Sequence, residues 1–247
     1  IFKSHQNQKP MSKEKPGIWI TGASSGIGRA AAIEFAKTGA KVFVSGRRAA
    51  ELERINTEIN SDKLSVEVFP CNVASHTNVD QTVKKISANS KIDCLINNAG
   101  ITSFKLAEEN SINELNDIIN TNLLGSIYTI KAVLPQMISN GGGTIINILS
   151  VVTKKTFTKS SIYTASKMGL LGYTNSLREE VRKYNIKVIN VIPGATATPI
   201  WSKEMRDQFS NRMMTSEDIA RVLVWAFLQK ENLVTEELLL RPIEGDL

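Results

Sequence analysis

The chain has 247 residues, of which 42% are hydrophobic and 22% charged, and its formal net charge is +6. These proportions are those of an ordinary globular protein and exclude a disordered or collagen-like chain. The longest apolar run, at 222–228, is far shorter than the ~18 residues that span a bilayer, so we expect no membrane association.

The first sixteen residues carry half of the excess positive charge. The charged residues there are Lys3, Lys9, Lys13, Glu14 and Lys15. A nucleic-acid-binding protein concentrates its positive charge on one folded face, so we expect no nucleic-acid partner. This stretch also lacks an apolar period, and we predict a flexible tail over residues 1–15 ahead of one domain over 16–247.

From residue 17 onward, short apolar runs alternate with amphipathic stretches. In chain order they predict strand 17–21, helix 26–38, strand 41–45, helix 48–60, strand 64–69, helix 75–88, strand 92–96, helix 112–138 with a bend near Gly125, strand 144–149, helix 160–184, strand 186–192, helix 216–229 and strand 236–240. Strands and helices in this alternation join by right-handed crossovers into a parallel sheet. We therefore predict an α/β fold, a single doubly wound domain whose central parallel sheet of about seven strands has helices on both faces.

The two cysteines, Cys71 and Cys94, lie inside or at the end of apolar runs. Two such residues do not make a disulfide framework, and we interpret both as buried structural thiols. This usage favours a reducing compartment, and we expect a cytoplasmic protein. Nothing in the pattern of the sequence indicates a metal site.

A glycine-rich turn, TGASSGIG at 21–28, joins the first predicted strand to the first predicted helix. Its glycines allow a tight turn and a close approach of the backbone to a ligand, and the helix N-terminus offers free N–H groups to a phosphate. The spacing G-x-x-x-G-x-G differs from that of the longer dinucleotide fingerprint. We expect the turn to bind a cofactor through Gly22, Ser24, Ser25, Gly26, Ile27 and Gly28. The alternative is a glycine turn that binds no ligand.

Two arginines follow the second predicted strand, where an NAD-binding protein places an acidic residue on the ribose 2′-hydroxyl. The chain reads Ser-Gly-Arg-Arg at 45–48, without a carboxylate. A guanidinium can hold a 2′-phosphate through two hydrogen bonds, so Arg47 predicts that the cofactor is NADP(H). The alternative is that Arg47 and Arg48 are solvated residues of the next helix, and for Arg48 both interpretations stay open.

Tyr163 and Lys167 lie four residues apart on a predicted helix and therefore point the same way. A phenol with a pKa of about 10 is a poor acid at neutral pH, and a nearby ammonium lowers that pKa. Such a tyrosine can give a proton to a carbonyl oxygen as a hydride arrives. Because Tyr-x-x-x-Lys alone is commonly a chance surface pair, its meaning depends on the other motifs.

Further motifs follow the carboxyl ends of predicted strands, where open α/β sheets bind ligands. They are Asn97-Asn98-Ala99-Gly100, Ser150 thirteen residues before Tyr163, and Pro193-Gly194 followed by Thr198. Together with TGASSGIG and YTASK at 163–167, they have the order and spacing of the short-chain dehydrogenase/reductase family. The chain resembles this family over about residues 16–230, which implies a Rossmann-type domain.

The resemblance implies an enzyme that transfers a hydride between NADPH and a small-molecule ketone or secondary alcohol. In it, Tyr163 is the general acid/base, Ser150 holds the carbonyl oxygen, and Lys167 binds the nicotinamide ribose and lowers the pKa of Tyr163. Asn122 matches the asparagine that holds a water in the proton relay, the alternative being a polar residue at a helix bend. The resemblance also implies cofactor contacts from Asn72, Val73, Asn98, Ala99, Gly100, Tyr163, Lys167, Pro193, Gly194, Thr196 and Thr198.

Two segments depart from the family pattern. The loop after Ser150 reads VVTKKTF and lacks the usual glycine, and the segment 235–247 reads TEELLLRPIEGDL. That ending resembles NADP-dependent 3-hydroxy-acid dehydrogenases and related carbonyl reductases. Both departures lie near substrate or subunit contacts, so they affect the inferred substrate and leave the inferred chemistry unchanged.

The segment after the sixth strand predicts a substrate lid over about residues 197–214. Trp201, Met205 and Phe209 recur every four residues, which is one stripe of a helix. We expect this stripe to face a modest carbonyl substrate, with Lys154, Lys155 and the lid cations able to hold a carboxylate. The alternative is a helix that docks on the body of the domain.

The alternative to an enzyme is a catalytically silent protein that binds NADP(H) as a sensor or scaffold. The presence of all four residues Asn122, Ser150, Tyr163 and Lys167 favours the enzyme. The helices predicted at 112–138 and 160–184 carry many apolar positions, among them Ile127, Ile130, Leu134, Leu170, Leu171 and Tyr173. Because the family commonly pairs these helices between subunits, we expect a homodimer or homotetramer.

Overall fold

The computed structural model describes residues 15–61, 64, 66–229 and 232–246. The flexible tail predicted over residues 1–15 therefore lies, except for Lys15, outside the described residues. Across the described part of the chain, no helix combines the length and the apolar character that crossing a membrane requires.

The described residues form a seven-stranded sheet in which all neighbouring strands are parallel. The strands are β1 Gly17–Thr21, β2 Lys41–Ser45, β3 Val66–Val68, β4 Cys94–Asn97, β5 Gly143–Ile148, β6 Ile186–Pro193 and β7 Glu237–Leu240. Their order is β3-β2-β1-β4-β5-β6-β7. The chain builds outward from β1 and then returns to place β4 on its other side, which creates a crevice beyond the carboxyl ends of these two strands. The predicted fold class is confirmed.

Helices cover both faces of the sheet. They are α1 Gly26–Lys37, α2 Ala49–Ser61, α3 His76–Ser87, α4 Ile112–Ile119, α5 Gly125–Ser139, α6 Ser161–Val181, α7 Lys203–Phe209 and α8 Ser216–Phe227. Side chains alternate across a strand: Ile18 and Ile20 of β1 pack with α1, α2 and α8, whereas Trp19 packs with α3, α5 and α6. This double coverage explains why the strands are nearly continuous apolar runs.

The predicted helix at 112–138 is interrupted. α4 ends at Ile119, and one π-helical turn, Asn120–Leu124, joins it to α5. A Cβ added at Gly125 would lie 2.8 Å from a methyl carbon of Val73, so only glycine fits at this close approach. The predicted bend near Gly125 is thus a π-turn, a feature that is common at functional sites.

A ladder of buried asparagines crosses the middle of the sheet. Asn97, Asn147 and Asn190 occupy the same register on β4, β5 and β6. The Asn97 amide donates to Asn147 at 3.0 Å, the Asn147 amide donates to Asn190 at 3.3 Å, and Thr129 of α5 donates to Asn97 at 2.6 Å. These bonds satisfy polar groups that would otherwise be costly to bury, and they fix the register of the strands that carry the site below.

Candidate active site

A cavity of about 750 Å³ opens at the carboxyl ends of the central strands. Most of the predicted site residues line it, namely Gly22, Ser24, Ser25, Gly26, Ile27, Arg47, Asn72, Val73, Asn98, Ala99, Gly100, Ser150, Tyr163, Lys167, Pro193, Gly194, Thr196 and Thr198. Gly28 and Asn122 lie outside the lining. The cavity therefore brings together motifs that are far apart in the sequence.

The glycine-rich turn has the shape of an anion cradle. Gly22 and Gly26 have φ angles of 64° and 55°, which L side chains rarely adopt. A Cβ at Gly22 would lie 2.6 Å from the Ala99 Cα, and one at Gly28 would lie 2.4 Å from the Asn98 Nδ2. The side chain of Ser25 does not cap α1, so the first N–H groups of that helix remain available to a ligand. This turn fits the diphosphate of a dinucleotide.

Hydrogen bonds lock the glycine turn to the loop that follows β4. The Thr21 hydroxyl accepts from the Asn98 and Ala99 N–H groups at 3.1 and 3.2 Å. In return, the Asn98 amide donates to the carbonyl oxygens of Thr21 and Gly22, both at 3.0 Å. Sequence reasoning assigned no role to Thr21, although its place at the head of the glycine motif was a usable signal.

Both arginines after β2 line the cavity at the end where the glycine turn lies. A guanidinium nitrogen of Arg48 donates to the Ser24 hydroxyl at 3.1 Å. This contact favours a role for Arg48, which the sequence left open, beside Arg47. Among the described residues that line the cavity, Asp246 is the only carboxylate, so no acidic side chain of the lining competes with an anion near Arg47.

Ser150, Tyr163 and Lys167 converge on one wall of the cavity. Lys167 is only 4% exposed, and its ammonium donates to the Ile148 carbonyl oxygen at 2.7 Å. Ser150 lies two residues after the end of β5, and its hydroxyl accepts from the Val152 N–H at 3.4 Å. Tyr163 and Lys167 lie one turn apart on α6, as their spacing predicts. Strand β5 and helix α6 thus position the three predicted catalytic groups.

Burial shifts the pKa values of Tyr163 and Lys167 in opposite directions. Burial raises the pKa of Tyr163 to about 12, and a hydrogen bond with Ser150 only partly offsets this. Burial lowers the pKa of Lys167 to about 8. The net shift of the Tyr163 pKa is therefore upward, because desolvation of the phenolate outweighs the hydrogen bond with Ser150. The expected lowering of this pKa by Lys167 stays a prediction. At neutral pH the phenol keeps its proton and can donate it.

Asn122 lies in the π-turn and is fully buried outside the cavity. Its amide nitrogen donates to the Ile101 carbonyl oxygen at 2.9 Å and to the Ser166 hydroxyl at 3.0 Å, and its amide oxygen accepts from the Ile101 N–H at 2.9 Å. The side chain therefore braces the loop after β4 against α6, next to Lys167. The expected role of Asn122 in holding a water stays a prediction.

The segment predicted as a lid covers one side of the cavity, but its helix is shorter than the apolar stripe implied. Ser202 caps α7, and Trp201 therefore precedes the helix that carries Met205 and Phe209. Trp201 stacks on Phe104, with ring centroids 4.9 Å apart and an interplanar angle of 17°. Trp201, Phe104 and Met205 line the cavity, whereas Phe209 does not. The apolar wall is thus formed by Trp201 and Met205 together with Phe104 from the loop after β4, and not by one stripe along a single helix.

Three of the cations proposed for a substrate carboxylate already have partners. Lys154 pairs with Glu237 at 2.9 Å, Lys155 with Asp246 at 3.1 Å, and Arg212 with Glu244 at 3.1 Å. The predicted carboxylate site therefore has no free charge at any of these three cations. The partner residues lie in β7 and the segment after it, and no local sequence pattern pointed to these contacts.

Both cysteines are free and buried, which confirms their interpretation as buried thiols. Burial raises the pKa of each thiol, and Cys71 lies in the cavity wall. Within the described ranges, no three His, Cys, Asp or Glu side chains come together in a group that could hold a metal ion.

The arrangement matches known proteins along most of the chain. The family model described as short chain dehydrogenase matches residues 17–208. A sepiapterin reductase from Chlorobaculum tepidum is 36% identical over 238 residues, which cover 93% of this chain and 97% of that protein. A metagenomic short-chain oxidoreductase solved in complex with NADP is 29% identical, with a TM-score of 0.81 over 92% of this chain and 96% of its own. An alcohol dehydrogenase from the archaeon Thermococcus sibiricus, complexed with 5-hydroxy-NADP, is 26% identical, with a TM-score of 0.84 over 95% and 99% of the two chains.

Proposed function

The chain belongs to the short-chain dehydrogenase family of oxidoreductases, and on that premise we propose that it is an NADP(H)-dependent carbonyl reductase with Tyr163 as its proton donor. The observation that carries this proposal is the position of Ser150, Tyr163 and Lys167 on the wall of the cavity that also holds the glycine turn and Arg47. The complete set of groups argues against a silent sensor or scaffold, which has no need of an acid/base pair.

The cavity fits NADP(H) at three places. The glycine turn would hold the diphosphate, Arg47 and Arg48 the 2′-phosphate, and Lys167 the nicotinamide ribose. When bound, NADPH would supply the hydride for reduction. The chain itself supplies positive charge for the phosphates: the cavity lining includes the two arginines and the buried ammonium of Lys167.

The proton comes from the chain. The hydroxyl groups of Ser150 and Tyr163 can both hydrogen-bond to a substrate carbonyl oxygen, and the raised pKa keeps Tyr163 protonated until that oxygen gains negative charge. Lys167, with a pKa of about 8, is mostly charged at neutral pH and stabilises the phenolate left behind. In the reverse direction the same groups accept the proton of a secondary alcohol.

We propose a ketone on a planar ring system as the substrate class, with sepiapterin as the first compound to test. The similarity to a sepiapterin reductase supports this choice. The rings of Phe104, Phe157 and Trp201 line the cavity, and aromatic walls of this kind suit a flat aromatic substrate. The neutralised cations Lys154 and Lys155 argue against a substrate that needs a carboxylate anchor.

A cofactor-oxidation assay tests the proposal. Purified protein is mixed with NADPH and with sepiapterin, simple aryl ketones, diketones and a 3-oxo acid, and NADPH loss is followed by absorbance. We expect turnover of sepiapterin or of another neutral ketone carried on a planar ring. Tight NADPH binding without turnover of any compound in the panel would favour the sensor instead.

We also propose a cytoplasmic location, supported by the two free and buried thiols Cys71 and Cys94. Fractionation of the source cells, followed by detection of the chain with an antibody, tests it. Recovery in an extracellular or periplasmic fraction would contradict it.

A further inference from the structure

The two segments that depart from the family pattern contact each other. Lys154 and Lys155 stand in the loop after Ser150, where the usual glycine is missing. Lys154 pairs with Glu237 of β7, and Lys155 pairs with Asp246 in the segment after β7. The unusual loop and the unusual ending therefore form one ion-paired unit, and one member of it, Asp246, lines the cavity.

Asp246 is the centre of this unit. Its side chain is only 4% exposed, whereas its partners Lys155 and Arg241 are 57% and 44% exposed. One carboxylate oxygen accepts from the Lys155 ammonium at 3.1 Å and from a terminal guanidinium nitrogen of Arg241 at 2.6 Å, and the other accepts from the Arg241 Nε at 3.1 Å. Three hydrogen bonds from two cations hold this carboxylate, so the loss of one partner removes a charge-assisted contact that orders the segment.

The backbone directs Asp246 toward the cavity. The Gly194 N–H donates to the Leu240 carbonyl oxygen at 2.7 Å, so the end of β7 is fixed to the loop after β6. A turn follows, in which the Gly245 N–H donates to the Pro242 carbonyl oxygen at 2.9 Å and Gly245 has a φ of 88°. This turn reverses the chain and places Asp246 in the cavity lining.

Lys155 connects Asp246 to the predicted catalytic serine. The N–H groups of Lys154 and Lys155 both donate to the Val151 carbonyl oxygen, at 2.8 and 3.0 Å. These two bonds close the short helical turn Val151–Thr153. Ser150 caps the start of this turn, because its hydroxyl accepts from the Val152 N–H. A displacement of Lys155 therefore moves the turn that orients the Ser150 hydroxyl.

We propose that Asp246, in the cavity lining, is a positioning residue, which acts through Lys155 to hold the Ser150 turn. This inference rests on the proposed function for its kinetic consequence. The contact between Lys155 and Asp246, which we call the latch, joins the loop after Ser150 to the segment after β7. It is argued from geometry alone and is tested separately.

The latch is tested without turnover. Hydrogen exchange measured by mass spectrometry compares wild type, Asp246→Asn and Lys155→Gln, on peptides that cover residues 150–158. We expect exchange in this stretch to rise about tenfold in both variants, because a charge-assisted contact that orders it is lost. Glu34→Gln, which removes the pair with Lys37 on α1, is the matched control and should leave these peptides unchanged. Unchanged exchange in Asp246→Asn and Lys155→Gln would overturn the latch.

The kinetic consequence is tested with the carbonyl compound that the wild type reduces. Asp246→Asn should raise the KM of the carbonyl substrate about three- to tenfold and leave the Kd of NADPH unchanged. The reason is that the latch acts on the Ser150 turn and not on the residues proposed to hold the cofactor. The double variant Asp246→Asn/Lys155→Gln should lose little more than Asp246→Asn alone, because both changes remove one contact. Additive losses, or a loss of NADPH affinity, would contradict positioning through Lys155.

A wild type inactive on every carbonyl would refute the proposed function and with it the kinetic role, while the exchange experiment would still decide the latch.

Discussion

The ammonium nitrogen of Lys167 lies 5.8 Å from the centroid of the Tyr163 ring. The ammonium donates to the Ile148 carbonyl oxygen at 2.7 Å; Lys167 is buried, and Tyr163 is half-buried in the cavity wall. Desolvation therefore governs each group, and it brings the pKa of Lys167 down to about 8 while raising that of Tyr163 to about 12. Near neutral pH the pair holds one transferable proton on the phenol and a positive charge beside it.

Replacement of Tyr163 by Phe should abolish reduction while cofactor binding survives. The ring still packs on α6, but the transferable proton is lost, and such a loss typically costs about 10²–10⁴ in kcat. Steady-state kinetics, with NADPH binding followed by fluorescence, measure both effects. Tyr173→Phe, on the same helix and outside the cavity lining, is the control and should retain nearly full activity. A Tyr163→Phe variant that keeps a tenth of the wild-type rate would exclude this tyrosine as the essential acid.

The rate of reduction should fall as the pH rises through about 8. The pKa of Lys167 is lowered to about 8, so its charge is present below that pH and lost above it. Tyr163, with a pKa of about 12, keeps its proton over the same range and does not cause the fall. The pH dependence of kcat, measured with NADPH at saturation, tests this. In Lys167→Arg, whose side chain stays charged, the remaining activity should not fall as the pH rises through 8. A wild-type profile that is level well above pH 8 would contradict the assignment.

Arg47→Asp should reduce the preference for NADPH over NADH. The wild type is expected to use NADPH with higher kcat/KM than NADH, and a lost charge-assisted contact to a phosphate typically costs about 1.5–3 kcal/mol, or about 10- to 100-fold. Arg48 contacts Ser24 and should make the effect of Arg47→Asp incomplete. Arg54→Asp makes the same change of charge on the exposed face of α2 and serves as the control. Equal or better efficiency with NADH in the wild type would overturn the NADP(H) preference.

The sequence predicted the fold because its signals are local. Strand β1 is a buried apolar run, Gly22 and Gly26 have the φ angles that favour glycine, and the spacing of Tyr163 and Lys167 fits one helix face. Contacts between distant loops were not predictable in this way. The partner of Lys155 is 91 residues away, and nothing in either segment specifies it.

The electrostatics of the site also required the structure. The sign of the Tyr163 pKa shift depends on how far desolvation exceeds the effect of the hydrogen bond with Ser150, and spacing along a helix carries no information about burial. Asn122 shows the same limit, since its hydrogen bonds to Ile101 and Ser166 depend on the π-turn and on the loop after β4. Identity of a motif residue was predictable; its hydrogen-bond partners were not.

A homodimer or homotetramer remains our expectation for the assembly. Of the apolar residues named on α5 and α6, Ile130 and Leu170 are buried in the subunit's own core, whereas the others keep exposed surface that a second subunit can cover. Trp225 of α8 and Leu239 of β7 are each 50% exposed and offer a second surface. Light scattering coupled to size-exclusion chromatography at micromolar concentration should give a multiple of 27.2 kDa. A monomer mass would refute the expectation.

Trp201 distinguishes a substrate lid from a structural helix. The two ends of the segment meet where the Ala197 N–H donates to the Met214 carbonyl oxygen at 2.9 Å and the Met214 N–H donates to the Ala195 carbonyl oxygen at 3.0 Å. Between these ends, α7 has no fully buried residue, and Trp201 contacts the opposite loop by stacking on Phe104. The segment is therefore fixed at its base and held across the cavity by one aromatic pair.

Trp201→Ala should lower kcat/KM about tenfold with a nearly unchanged Tm, because a stacked pair contributes about 0.5–1.5 kcal/mol and Trp201 is only half-buried. Phe104→Ala should have a similar effect, and the double variant should be no worse than either single change, since both remove one contact. Trp225→Ala, which truncates an exposed tryptophan on α8, controls for the loss of a large ring. A structural role would instead cost about 3–5 kcal/mol of stability, the usual loss for a fully buried tryptophan. Reduced stability with intact kinetics in the surviving protein would reject the lid, because a wall of the substrate cavity cannot be removed without an effect on the substrate.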